Sequence, residues 1–195
     1  MGQQGIVSIN DRAQDNLRYI RETMERAGSF TAVPGWGGVC MGISALAASW
    51  IASRMPTQEL WFALWIGEAF LAFAIGFCAM IRKAKTARVF LKGPGRAFAL
   101  GLFPAMFAGA VLTLVLFGQG IFSLLPGLWM LLYGVAVVSG GTNSVRIVPV
   151  MGMSFVAFGT LVLALGQHWA NIAMAIGFGM LHVIFGVMIA RRYGG

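Results

Sequence analysis

The chain has 195 residues, of which 58% are hydrophobic and only 10% are charged, whereas soluble domains carry about 25% charged residues. Together with a mean hydropathy of +0.81, this composition excludes an ordinary soluble domain and predicts an all-α protein that crosses a membrane several times. The formal net charge is +8. Because the positive charges cluster at the ends of apolar runs, they indicate membrane topology and not a nucleic-acid partner.

Residues 1–32 are polar and form the first predicted unit, a cytoplasmic segment with an amphipathic helix from about residue 11 to 27. Acidic and basic side chains balance along this helix, which is not typical of one that lies on an anionic membrane surface. Leu17, Ile20 and Met24 recur at helical spacing and form an apolar stripe. The stripe covers the protein's own bundle, a second copy of the chain or a cytoplasmic partner, and its side chains are the predicted partner contacts.

The remaining residues, 33–195, form the predicted membrane domain. A hydrocarbon layer about 30 Å thick needs roughly 20 apolar residues per helix, and the chain contains six such runs. The partners implied by this domain are the lipid bilayer and, if the protein assembles as a homo-oligomer, further copies of itself. The predicted spans are approximately residues 35–53, 60–81, 98–118, 121–139, 148–166 and 170–190.

The stretch YIRETMERAGSFTAVPGWGGVCMG, residues 19–42, leads into the first span through the helix breakers Pro34 and Gly35. It resembles the opening of a group of uncharacterised bacterial six-span membrane proteins. The resemblance implies a bacterial plasma membrane, and it brings no activity, cofactor or binding residue with it.

The basic residues lie on one side of this six-span arrangement. Thirteen of the fourteen precede the first span, follow the last, or occupy the loops after the second and fourth spans, and Arg54 is the exception. Because positive charge is retained on the cytoplasmic side, both termini are predicted to be cytoplasmic. That the membrane is a bacterial inner membrane is what the resemblance implies. The loop after the second span holds the largest basic cluster, a candidate contact for lipid headgroups. Its members are Arg82, Lys83, Lys85, Arg88, Lys92 and Arg96.

Two parts of the chain resemble each other when the sequence is shifted by 110 positions. The shift places Met41 and Gly42 on Met151 and Gly152, and it lays the first two spans on the last two without a gap. A parallel repeat of a two-helix hairpin explains this match, although sequences rich in glycine and alanine also match by composition alone. Three such hairpins in a row are similar in outline to the HdeD-type membrane proteins, and the likeness extends to architecture only.

Glu68 is the only carboxylate in an otherwise apolar run, LWIGEAFLAFAIG, residues 64–76. Small residues follow it at helical spacing, so its side chain is expected to point into the bundle. His182 lies beside small residues in the sixth span, and the repeat would place it one turn deeper than Glu68, an offset of about 6 Å. Ionisable residues inside a membrane mark ion or proton paths, ligand contacts or structural pairs. Glu68 and His182 are therefore the predicted ligand or proton site, with a pair that only fixes helix packing as the alternative.

The sequence contains no signature of an enzyme, a metal site or a cofactor site. The prolines lie near predicted helix starts, so no span is expected to be interrupted in the way that the helices of many transporters are. These features favour a non-enzymatic interaction, regulatory or accessory membrane protein whose partner contacts the N-terminal helix. The alternative is a transporter or channel for a small molecule or ion that uses Glu68 with His182.

Overall fold

The computed structural model describes residues 14–20, 30–84, 93–165 and 169–193, and within these ranges the regular structure is helical. Five helices are long and apolar enough to cross a membrane, while a sixth, α4, is apolar but has only 17 residues. The predicted class, an all-α protein with several membrane helices, is confirmed at this level. The helices are α1 (Gly35–Ala52), α2 (Gln58–Lys83), α3 (Pro94–Gly118), α4 (Leu125–Gly141), α5 (Ile147–Leu165) and α6 (Ala170–Tyr193).

The turn between α3 and α4 is longer than the sequence predicted, so α4 begins at Leu125 and not near residue 121. Gly120 adopts a positive φ of 70°. Its N–H donates to the carbonyl oxygen of Phe117 at 3.0 Å, and the N–H of Ile121 donates to that of Leu116 at 2.9 Å. This pair of bonds is a Schellman motif, in which glycine takes the left-handed position that other residues avoid.

Two helices contain features that the sequence did not predict. Pro104 lies inside α3 and not near its start, because the helix begins already at Pro94, a proline whose fixed φ suits the first turn of a helix. In α6, residues Ala175–Leu181 form a π-helical turn. The sequence has no proline that would have indicated this turn. Turns of this kind are frequent at functional sites. The π turn changes the hydrogen-bond pattern locally, while α6 continues as one helix from Ala170 to Tyr193.

The helices form two groups of three. α1 packs closely against α2 and α6, α4 packs closely against α3 and α5, and contacts between the two groups are sparser. The tightest crossings are built on glycine: a Cβ added at Gly42 would lie 2.6 Å from the carbonyl oxygen of Gly179 in α6, and one at Gly134 would lie 2.7 Å from that of Gly152 in α5. Small residues of this kind allow membrane helices to approach to backbone contact. The sparser packing between the two groups leaves open space in the bundle.

The start of α1, the ends of α2 and α6 and the α4–α5 turn meet on one side of the bundle, called here the basic face. Lys83, at the end of α2, donates hydrogen bonds to the carbonyl oxygens of Val33 at 3.0 Å and Tyr193 at 3.1 Å. Phe30 is buried, and its carbonyl oxygen accepts a hydrogen bond of 2.7 Å from the hydroxyl of Ser144 in the α4–α5 turn. These contacts gather helix ends that carry basic residues.

The N-terminal segment is described only in part. Residues 14–20 are helical and their side chains are exposed, with Leu17 at 67% and Ile20 at 52% of full exposure. Met24 and most of the predicted helix lie outside the described residues. The same holds for Lys85, Arg88 and Lys92 of the predicted headgroup cluster.

Candidate functional site

A cavity of about 320 Å³ lies between α2 and α3 and extends to α1, α4 and α6. Its walls are largely aliphatic and aromatic. The side chains with a carboxylate, hydroxyl or imidazole group on these walls are Glu68, Thr113, Tyr133 and His182. The cavity thus brings both residues of the predicted ligand or proton site to one space.

The cavity opens on the side of the bundle, where lipid would lie. Phe73 of α2 and Met106 of α3 line its opposite walls and are 68% and 47% exposed. A second cavity of about 440 Å³ shares these two residues with the first and continues towards the basic face, as far as Val33 and Phe98. Together the two cavities form a slot along the gap between α2 and α3.

Aromatic rings close the slot at the end away from the basic face. Phe62 of α2 and Phe117 of α3 stack with ring centroids 4.5 Å apart, and Trp61 stacks on Trp129 of α4 at 5.8 Å. The indole N–H of Trp61 donates to the side-chain oxygen of Asn171 in α6 at 2.7 Å. These contacts hold α2 against α6 of its own group and against α3 and α4 of the other group at this end. The middle of the slot stays open.

Glu68 is 9% exposed, and its Oε1 lies 2.7 Å from the hydroxyl oxygen of Ser44 in α1. The same hydroxyl lies 2.9 Å from the carbonyl oxygen of Met41. A hydroxyl has one proton to donate and can also accept. If Glu68 is ionised, Ser44 donates to it; if Glu68 is protonated, it donates to Ser44, which then donates to Met41. Ser44 therefore provides a hydrogen-bond partner for both protonation states.

His182 uses both ring nitrogens within the bundle. Its Nδ1 lies 2.9 Å from the carbonyl oxygen of Phe178, and its Nε2 lies 2.8 Å from the hydroxyl oxygen of Tyr133. A carbonyl oxygen can only accept, so Nδ1 carries the proton, and in the neutral ring Nε2 accepts from Tyr133. The ring also packs against Phe155, with centroids 5.2 Å apart. His182 directly follows the π turn of α6 and joins α6 to α4.

Glu68 and His182 line the same cavity, but each is hydrogen bonded to a different partner. The predicted pairing of these two side chains required α2 and α6 to be neighbours, and in the structure α1 packs against both of them. Reasoning from the sequence missed Ser44 as the partner of Glu68. The only available signal was a serine within an apolar span, and α1 contains a second one, Ser49.

The predicted headgroup cluster is described at three of its six positions. Arg82 and Arg96 are exposed at the end of α2 and the start of α3. Lys83 is partly buried and donates to two backbone carbonyls. Of these three side chains, Arg82 and Arg96 are therefore the ones placed at the surface.

Comparison with protein-family models, curated proteins and solved structures gives no match for this chain. The resemblance of residues 19–42 to a bacterial six-span group stays a prediction. Within the described ranges, no three His, Cys, Asp or Glu residues lie close enough to hold a metal ion.

Proposed function

We propose that this chain is a non-enzymatic, six-span membrane protein that binds a lipophilic small molecule in the cavity beside Glu68, either to carry it across the membrane or to respond to it. The observation that supports this best is a buried carboxylate on the wall of an apolar space open to the side of the bundle. Ligand sites are typically concave, apolar and about 300–1,000 Å³ in volume, with a few polar groups that orient the ligand. Both cavities fall in that range.

The proposal includes α4 as the sixth span and a bacterial inner membrane with both termini in the cytoplasm. The 17 residues of α4 equal the lower limit of the usual length, about 17–25 residues. The gathering of basic helix ends on one face favours this orientation, since positive charge is retained inside. The 110-position repeat is a further proposal about the origin of the first and third hairpins.

The cavity can be tested by filling it from α2. Ala72 lines both cavities, whereas Ala74, two residues later, is exposed and lines neither. A neutral lipophilic fluorophore, N-phenyl-1-naphthylamine, is titrated against the protein in lipid nanodiscs. We expect saturable binding to the wild type and to Ala74→Phe, and a loss of at least about tenfold in affinity for Ala72→Phe, because its ring occupies the space of the ligand.

Empty nanodiscs give the background from fluorophore dissolved in lipid. Equal, unsaturable signals from the wild type, Ala72→Phe and empty nanodiscs would contradict a ligand-binding cavity. A thermal unfolding measurement on both variants checks that the bundle is intact.

Exposed apolar side chains on the N-terminal helix favour a second candidate function, that of an interaction or regulatory protein. Leu17 and Ile20 are both more than half exposed, and a helix with an apolar stripe usually buries that stripe against something. The predicted partner is a cytoplasmic protein or a second copy of the chain, and Met24 extends the stripe in the sequence.

Cross-linking in native membranes tests this second candidate. In the double variant Leu17→Glu and Ile20→Glu, we expect the loss of a cross-linked species that the wild type forms, because charges replace the apolar contact. Arg18→Glu makes the same change in net charge on the face of this helix that lies away from the stripe, where Arg18 is exposed, and it should leave the species unchanged. If the double variant forms the same cross-linked species as the wild type, the stripe is not the contact.

A further inference from the structure

The charges around Glu68 indicate which class of molecule the cavity binds. No Lys or Arg occurs among the described residues that line this cavity. The other titratable groups on its walls, Tyr133 and His182, are hydrogen bonded to each other, and Nδ1 of His182 is hydrogen bonded to the carbonyl oxygen of Phe178. Within the cavity, therefore, these residues leave the carboxylate of Glu68 without a positive partner.

The hydrogen bonding of Glu68 leaves room for a ligand. Its Oε1 is paired with Ser44, and no hydrogen-bond partner of Oε2 occurs in the described part of the chain. A carboxylate has about four lone-pair sites for hydrogen bonds. Glu68 can therefore receive a further donor or a positive charge from the cavity without losing Ser44.

Aromatic side chains surround the rest of the space. A positive charge is attracted to the face of an aromatic ring, and quaternary ammonium ligands are recognised in this way. An apolar cavity with several rings and one carboxylate thus matches a molecule that is both lipophilic and cationic. The aromatic residues on its walls are Trp65, Phe73, Trp129, Tyr133 and Phe178.

We infer, building on the proposed function, that the ligand is a lipophilic organic cation that binds against Glu68 and replaces a proton on this side chain. One proton leaves Glu68 for each monovalent cation that enters, so the net charge of the site is the same in the empty and the occupied state. This exchange avoids an unpaired charge inside the membrane in both states. Ser44 supplies the hydrogen-bond partner in both, and the opening between α2 and α3 admits the ligand from the bilayer.

The test uses two probes of the same shape, benzyltrimethylammonium and its neutral carbon isostere, neopentylbenzene. Their binding to the full chain in nanodiscs is measured by displacement of N-phenyl-1-naphthylamine. Proton release is obtained from the dependence of the binding enthalpy on the buffer. For the wild type we expect release of about one proton per cation, which makes cation affinity rise with pH. In Glu68→Gln we expect cation affinity to fall by at least about tenfold without proton release, and affinity for the isostere to stay the same.

Glu59→Gln is the matched control, since it makes the same change at an exposed position in the first turn of α2. It should behave like the wild type.

Three results would contradict these proposals. If the isostere binds as tightly as the cation and Glu68→Gln changes neither affinity, the cavity holds uncharged molecules such as acyl chains. The cation proposal is then wrong while the proposed function stands. If cation binding releases no proton, the exchange is wrong. If neither probe nor the fluorophore binds to the wild type, the proposed function itself fails.

Discussion

Gly134→Ala in α4 is expected to lower the free energy of unfolding by about 1–3 kcal/mol, the usual range for an overpacked core. A Cβ at this position would lie 2.7 Å from both the carbonyl oxygen of Gly152 and the backbone nitrogen of Val156. Neither atom can rotate out of the way as a side chain can. α4 and α5 would have to separate, and the close packing that holds membrane helices together would weaken. Unfolding by heat or by a denaturing detergent, in mixed micelles, measures the change.

Gly67→Ala is the control for this substitution. A Cβ at position 67 meets no atom within 4 Å, and alanine is a better helix former than glycine by up to about 1 kcal/mol. We therefore expect the stability of this variant to equal or exceed that of the wild type. If Gly67→Ala and Gly134→Ala lose similar stability, then glycine-to-alanine substitution destabilises these helices in general, and the close α4–α5 crossing is not the cause.

Tyr133→Phe is expected to destabilise the protein by about 1–2 kcal/mol, because Nε2 of His182 would lose its donor in a buried position. The substitution keeps the ring, which packs against Phe155 with centroids 4.9 Å apart. The bond joins α4 to α6, so its loss acts at the sparse contact between the two groups of helices. Stability is again measured by unfolding in mixed micelles.

A double-mutant cycle separates this bond from other effects. His182→Phe alone leaves the hydroxyl of Tyr133 without its imidazole partner, whereas the double variant removes both polar groups. The two single losses should therefore sum to more than the loss in the double variant, by about 0.5–1.5 kcal/mol, within the range of hydrogen bonds between membrane helices. Additive losses would mean that the bond between Tyr133 and His182 contributes nothing to stability.

The positions of the helices were largely predictable because they depend on local sequence. Apolar length and the breakers Pro34 and Gly35 located the start of α1 correctly, and the run from residue 170 located α6. The start of α4 was placed too early because Ile121 and Phe122 are apolar although they lie in the turn after Gly120. A span predicted from a run of apolar residues includes every apolar residue, whatever its backbone conformation. The predicted helix therefore extends too far when apolar residues lie in the adjoining turn.

The sequence by itself determined that this protein is helical and highly apolar, and that Glu68 is the carboxylate within the apolar run of α2. Tertiary structure alone decided which groups surround that carboxylate. Ser44 became the partner of Glu68 because α1 lies close to α2, where a Cβ at Gly37 would be 2.6 Å from that of Ala79. Tyr133 became the partner of His182 because α6 meets α4, where a Cβ at Gly177 would be 2.7 Å from the sulfur of Met130. Such contacts join residues far apart in the chain, and their geometry depends on how closely two backbones approach, which helical spacing within one segment does not encode. For the same physical reason, only the packing of the two helix groups could reveal the cavity between α2 and α3.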